Sequence, residues 1–225
     1  IVVVLFSGRP LDIREINKKA KAILQVWLPG TEGARAIADT LFGKYNPSGK
    51  LPMSFPYCVG QVPVHYNEYS TGRPHVEGKD KDRFRSKYLD IPNEPLYPFG
   101  YGLSYTTFEV SDIHLDRTWM DTSGQIEAEV TVKNTGKIYA GKEVVQVYYS
   151  AAGGVMEKPY QELAAYQKTK LLEPGETEEI VLKYQAEQMA SYSEKEAAWI
   201  LEKGDYIIRV GNSSASTKVA GVIEV

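Results

Sequence analysis

The sequence is poor in the residues that most often build reactive centres. Its 225 residues include one cysteine, Cys58, and three scattered histidines, His65, His75 and His114. A single cysteine excludes an internal disulfide framework and a cysteine-rich metal site. Histidines this far apart argue against zinc and leave no Ser-His-Asp or Cys-His arrangement, so no metal is expected. The lone cysteine does not decide the compartment, because larger secreted bacterial domains need no disulfides. No apolar run approaches the roughly 20 residues that cross a bilayer, so no membrane span is expected. No secretory leader is expected within these residues. The formal net charge of −3 offers nothing to attract nucleic acid or an anionic membrane.

What remains is a globular composition, long enough for one large or two small domains. The opening "IVVVLF" is a continuous β-branched run, which reads as a central parallel strand buried on both faces. A native chain rarely begins there. We therefore expect a fragment whose sheet neighbours lie upstream. "SGRP" then turns the chain. A helix is expected from Asp12, with Glu15 at capping-box spacing. "ILQVW" (23–27) reads as a second strand. A second helix is expected after it, with Thr31 as N-cap and Ala34, Ile37, Ala38, Leu41 and Phe42 on one face. Gly43 stands where a helix end favours left-handed geometry. "KLPMSF" (50–55) offers a third strand. Strand–helix alternation over residues 1–56 means a parallel sheet with helical cover, here incomplete, as in a truncated α/β sandwich domain.

Residues 57–96 lack periodicity. They hold proline, glycine and tyrosine and the charge run "KDKDRFRSK" (79–87), and 57–104 read as one long loop and interdomain linker. Residues 105–225 change character. "QIEAEVTV" (125–132), "EIVLKY" (179–184) and "DYIIRV" (205–210) alternate apolar and polar positions. "EVVQVYY" (143–149) and "KVAGVIEV" (218–225) are further strands. "NTG", "EPGE", "EKGD" and "GNSS" (211–214) read as the turns between them. This pattern means an antiparallel β-sandwich, and without a Cys…Trp…Cys pattern a fibronectin type III-like one fits best.

Candidate chemistry is sparse. "GTEG" before the second helix is a weak anion-site signal, neither a P-loop nor a dinucleotide fingerprint, and no cofactor is expected. In open α/β sheets the functional crevice lies beyond the carboxyl ends of the strands, and "LPGTEG" is such a loop. Thr31 and Glu32 are therefore candidates for a substrate-proximal loop. The competing reading of Glu32 is a carboxylate favoured by the helix dipole. Glu32 and Asp39, seven residues apart on one helix, stand about 10 Å apart and make a poor catalytic pair. Arg9 and Arg73 follow turn glycines and could reach a sugar hydroxyl; Arg73 is the second candidate for a substrate-proximal loop. Trp27, Trp119 and Trp199 read as core or interdomain residues. Tyr148, Tyr149 and Tyr192 would be the stacking surface of a carbohydrate-binding module, although Tyr149 shares a strand face with Val145 and Val147. In "PLYPFGYGLSYTTF" (95–108), Tyr97, Phe99, Tyr101, Leu103 and Tyr105 alternate, so an extended chain would aim them one way. We expect those rings to be mostly buried in a domain joint.

Three stretches together resemble one family: "IVVVLFSGRPL" (1–11), "VWLPGTEGARAIADTLFGKYNPSGKLPMSFP" (26–56) and "PLYPFGYGLSYTTFEV" (95–110). They are similar to the C-terminal part of family 3 glycoside hydrolases, bacterial periplasmic β-glucosidases in particular. "VKNTGKIYAGKEVVQVYYS" (132–150), "KPYQELAAYQKTKLLEPGE" (158–176) and "GDYIIRVGNSS" (204–214) resemble that family's fibronectin type III-like domain. The one departure is Ala34, where the family usually has glycine. The resemblance implies a retaining, exo-acting parent acting on β-linked oligosaccharides or glucosides. It also implies a missing N-terminal barrel with the nucleophilic aspartate, and an acid/base glutamate upstream of Ile1. No catalytic residue is then expected here, and the fragment alone should be inactive. A periplasmic or secreted bacterial location follows from the same likeness. An alternative is a carbohydrate-binding or structural interaction module, and a truncated sheet edge would let the fragment self-associate.

Overall fold

The computed structural model describes residues 1–76 and 82–225; part of the charge run 79–87 thus lies outside the described residues. The first 41 residues form β1 (Val2–Leu5), α1 (Arg14–Lys19), β2 (Ala22–Gln25) and α2 (Gly33–Leu41). β1 and β2 pair in parallel, Val2 opposite Ala22 and Leu5 opposite Gln25, as alternation with helices requires. Several local expectations need correction. The helix expected from Asp12 starts at Arg14, with Ile13 as N-cap and no side-chain cap. Asp12 instead receives Arg14 Nε and Nη2 at 3.0 and 2.8 Å, and Glu15 takes Lys18 rather than closing a capping box. The N-cap of α2 is Glu32, not Thr31, again without a side-chain bond. Gly43 does take the left-handed conformation, at φ 76°.

"KLPMSF" is not a third strand of the parallel sheet. Phe55 makes a single antiparallel bridge to Tyr97, and Leu51 exchanges backbone bonds with Gly100 and Tyr101. The aromatic stretch, not β1 or β2, is thus its partner. The apolar side expected of α2 is largely uncovered among the described residues: Ile37 is half-buried, but Ala34, Ala38 and Leu41 are exposed and Phe42 is 84% exposed.

Nine strands follow: β3 (Phe108–Leu115), β4 (Gln125–Asn134), β5 (Val144–Ala151), β6 (Glu162–Lys168), β7 (Thr177–Gln185), β8 (Ser191–Ser193), β9 (Ala198–Ile200), β10 (Asp205–Ser213) and β11 (Ser216–Glu224). They form a four-stranded sheet, β11-β10-β5-β6, facing a three-stranded one, β3-β4-β7, with β8 and β9 as a separate hairpin. All these pairings are antiparallel. β10 runs through "GNS", so the expected turn at 211 lies beyond Ser213. Ile126, Ala128, Val130 and Val132 of β4 interleave with Val145, Val147 and Tyr149 of β5, Ile180, Leu182 and Tyr184 of β7, and Ile208 and Val210 of β10. These alternate residues are the sandwich core.

β5 departs from simple alternation. Its outward-facing Gln146 and Tyr148 are buried as completely as its inward residues, Tyr148 at 0% exposure. The cover comes from the irregular segment before the sandwich. Tyr66 stacks on Phe99 with centroids 4.2 Å apart and meets Tyr148 edge-on at 6.0 Å. Gln146 Nε2 donates to the carbonyls of Gly100 and Asn212 at 3.1 and 2.9 Å, and its Oε1 accepts from the Tyr148 hydroxyl at 2.5 Å. Tyr148 is therefore no surface stacking residue, whereas Tyr149 is core, as its strand face implied.

Candidate functional site

The crevice loop after β2 is shaped by three backbone constraints. Trp27 sits at φ 52°, a conformation rare for a bulky side chain and a mark of a loop held by its surroundings. Its ring lies 6.1 Å from Phe55. Gly30 is at φ 70°. Gly33 must be glycine for space: a β-carbon there would stand 2.6 Å from the Pro29 ring. Ala34, next to Gly33, is exposed. The loop thus offers Thr31 and Glu32 to solvent, both exposed, at the carboxyl end of the sheet. Asp39, further along α2, lies within 3.8 Å of Arg35 and 3.4 Å of Lys44. It is a charge-paired helix residue, not a partner for Glu32. Trp27 was read from sequence as a packing residue; nothing in the sequence signals its strained backbone.

Arg73 lies elsewhere, in the long loop. Its guanidinium stands over the Phe84 ring, 5.8 Å from the centroid. The Ser86 amide donates to the Arg73 carbonyl at 2.8 Å. Arg85 Nη1 reaches the Pro74 carbonyl at 3.0 Å, while its Nε reaches Asp82 at 3.0 Å. These bonds fold 72–74 against 82–86 around an open hollow of about 430 Å³, lined by Gly72, Arg73, Pro74, Asp82, Phe84 and Arg85. A cation held by a ring and fronting open space can reach a hydroxyl or carboxylate. Among the described residues, no hydrogen bond or ion pair joins Arg73 to Thr31 or Glu32.

The stretch 95–108 positions both halves. Tyr97, Phe99, Tyr101 and Phe108 are half-buried, not fully buried, and the rings of the stretch do not face one way. Tyr97 and Tyr101 stack on each other at 5.2 Å, Phe99 turns to Tyr66, and Leu103 and Tyr105 are exposed. Gly100 at φ 79° makes the difference, because its left-handed turn breaks the extended course that alternation assumes. Below it, Lys50 Nζ lies 2.7 Å from Glu143 and 2.9 Å from the Gly102 carbonyl, with both ionic side chains nearly buried. The tryptophans expected inside divide: Trp27 is half-buried, but Trp119 and Trp199 are exposed.

Comparison with known proteins matches these parts in the same order. The model described as glycosyl hydrolase family 3 C-terminal domain matches residues 1–105, and the fibronectin type III-like domain matches residues 143–214. The chain is 44% identical over 218 residues to the periplasmic beta-glucosidase of Salmonella typhimurium, covering 97% of this chain and 28% of that protein. It is 38% identical to a putative beta-xylosidase of Formosa agariphila, covering 97% of this chain and 27% of that protein. Among solved structures, beta-glucosidase from Listeria innocua in complex with glucose superposes with a TM-score of 0.91 at 42% identity. It is covered over 100% of this chain and 30% of its own. Beta-glucosidase 3B from Thermotoga neapolitana gives 0.79 at 37% identity, over 100% of this chain and 31% of its own. The chain thus spans under a third of the length of these relatives. With an α/β unit followed by a fibronectin type III-like sandwich, and both family models in their order, the chain belongs to family 3 of the glycosyl hydrolases, as its C-terminal region.

Proposed function

We propose that this chain is the non-catalytic C-terminal part of a retaining, exo-acting β-glucosidase that removes terminal β-D-glucosyl residues from oligosaccharides or glucosides. The observation that carries the reading is the match of the whole chain, at 42–44% identity, to beta-glucosidases of which it covers 28–30%. Retaining hydrolysis needs two carboxyl groups about 5–5.5 Å apart. In this reading the nucleophilic aspartate and the acid/base glutamate belong to residues upstream of Ile1, in a barrel and the first part of the α/β domain. Here Asp39 is held by cations, and Glu32 stands alone on its loop.

In this reading residues 1–56 complete the α/β domain, 57–104 form the linker and 105–225 the sandwich. Thr31 and Glu32 line one wall of the substrate crevice, and Arg73 approaches it from the long loop. The bare faces of β1 and α2 pack on the rest of the α/β domain; in the isolated chain they drive self-association. The parent is periplasmic or secreted, in keeping with the Salmonella relative. The test is release of the aglycone from an aryl β-glucoside. The 225-residue chain should give no turnover, and the longer protein carrying it should be active with retention of configuration. Turnover by the chain alone would sink the proposal.

A further inference from the structure

The end of the sandwich opposite the aromatic joint carries rings that none of the described residues covers. β10 runs for nine residues, about 30 Å. At its Ser213 end the Ser214 amide bonds to Phe99, so that end belongs to the joint. Two aromatic features are tied to its Asp205 end, one through β11 and one through the chain that enters β10. Trp119 bridges to Glu224 at the end of β11. Met120, next to it, is core, so the indole of Trp119 faces out, 62% exposed. The second feature is the β8–β9 hairpin, which leads into β10. Its Tyr192 and Trp199 are directly opposite, with centroids 5.5 Å apart and planes at 66°. Edge contact steadies the hairpin and still leaves Trp199 72% exposed.

Beside these rings lie two carboxylates. Glu224 is directly opposite Asp205 across the β10–β11 ladder, and both are exposed. Among the described residues neither has a cation within salt-bridge distance. Like charges opposed across strands are destabilising. A sugar ring meets these requirements. Its apolar face stacks on an indole, and its hydroxyls donate to carboxylates, which can only accept. The two negative charges select against anionic sugars.

We propose that this end of the sandwich binds neutral β-linked glucan chains, with Trp119 and Trp199 as stacking platforms and Asp205 and Glu224 as hydroxyl acceptors. The sugar class rests on the β-glucosidase reading above; the site itself is remote from the crevice loop and serves to hold a polymer, not to cleave it. The test is electrophoresis of the native chain through gels containing soluble mixed-linkage β-glucan, with carboxymethylcellulose as the anionic comparison. The native chain should be retarded by the neutral polymer alone. W119A/W199A should migrate as in a polymer-free gel with its thermal midpoint little changed, and W119F/W199F should keep part of the retardation. An unretarded native chain, equal retardation of W119A/W199A, or retention by the anionic polymer would overturn the proposal. Aryl β-glucoside hydrolysis by the longer protein is read separately. If it is present while the glucan gel shows nothing, only the site falls; if it is absent, the β-glucosidase reading falls.

Discussion

Gly100 is the residue on which the joint turns. It lies at φ 79°, and a β-carbon there would stand 2.1 Å from Gln146 Oε1. Gln146 is buried, and its amide is fully engaged with Gly100, Asn212 and Tyr148. Gly100→Ala therefore combines left-handed strain with displacement of a buried amide. Each effect costs about 1–3 kcal/mol. We expect a loss of about 3 kcal/mol, read as a lower urea midpoint; an unchanged midpoint would show that the joint tolerates repacking. The glycine was legible in the sequence as a turn residue, but its neighbour was not. Gln146 is 46 residues away, and only the fold shows that the two meet.

At the scale of elements, legibility followed whichever face each element buries. β4, β7 and β10 bury one face more deeply than the other, β10 with Ile207 and Arg209 half-buried behind its core residues, so alternation gave their positions and their core residues. β5 buries both. Polar Gln146 and Ser150 disguise this, and the cover of Gln146 and Tyr148 comes from a distant irregular segment. α2 departs in the opposite sense: its apolar spacing is plain, but Leu41 and Phe42 stay exposed among the described residues. The candidate site was legible only as loops. The exposure of Thr31 and Glu32 follows from strand ends, whereas the stacking of Arg73 on Phe84 depends on a fold of the long loop that no periodicity encodes.

The Lys50–Glu143 pair fastens these elements together, and its burial decides how it should respond to substitution. Lys50→Met leaves Glu143 buried without its cation, which costs about 3–5 kcal/mol, while Lys50→Met combined with Glu143→Leu should recover much of that loss. A double-mutant cycle in denaturant measures this; simple additivity would mean that the pair contributes little coupling.

For the molecule as a whole, buried tyrosines set the alkaline limit. Burial pushes the hydroxyls of Tyr148, Tyr184 and Tyr206 upward, and burial followed by the bond to Glu162 does the same for Tyr149. Unfolded tyrosines ionise near pH 10. Above that pH the unfolded chain releases protons that the folded chain retains. The stability is therefore full below about pH 10 and falls as pH rises further. Tyr184→Phe, which removes a buried hydroxyl without a hydrogen-bond partner, should cost little at neutral pH and make the alkaline decline shallower. Denaturant midpoints across this range provide the check, and an unaltered alkaline slope would exclude Tyr184 as a contributor.

The two-sided burial of β5 also bears on where this polypeptide can be cut. A piece beginning at residue 106 would keep every strand of the sandwich yet lose the segment that seals Tyr148 and Gln146. It would carry a naked hydrophobic and amide-rich seam along its central strand. The smallest autonomous module therefore starts before the first strand, and its true border runs through the packing of Phe99 and Gly100 rather than through any gap in the chain.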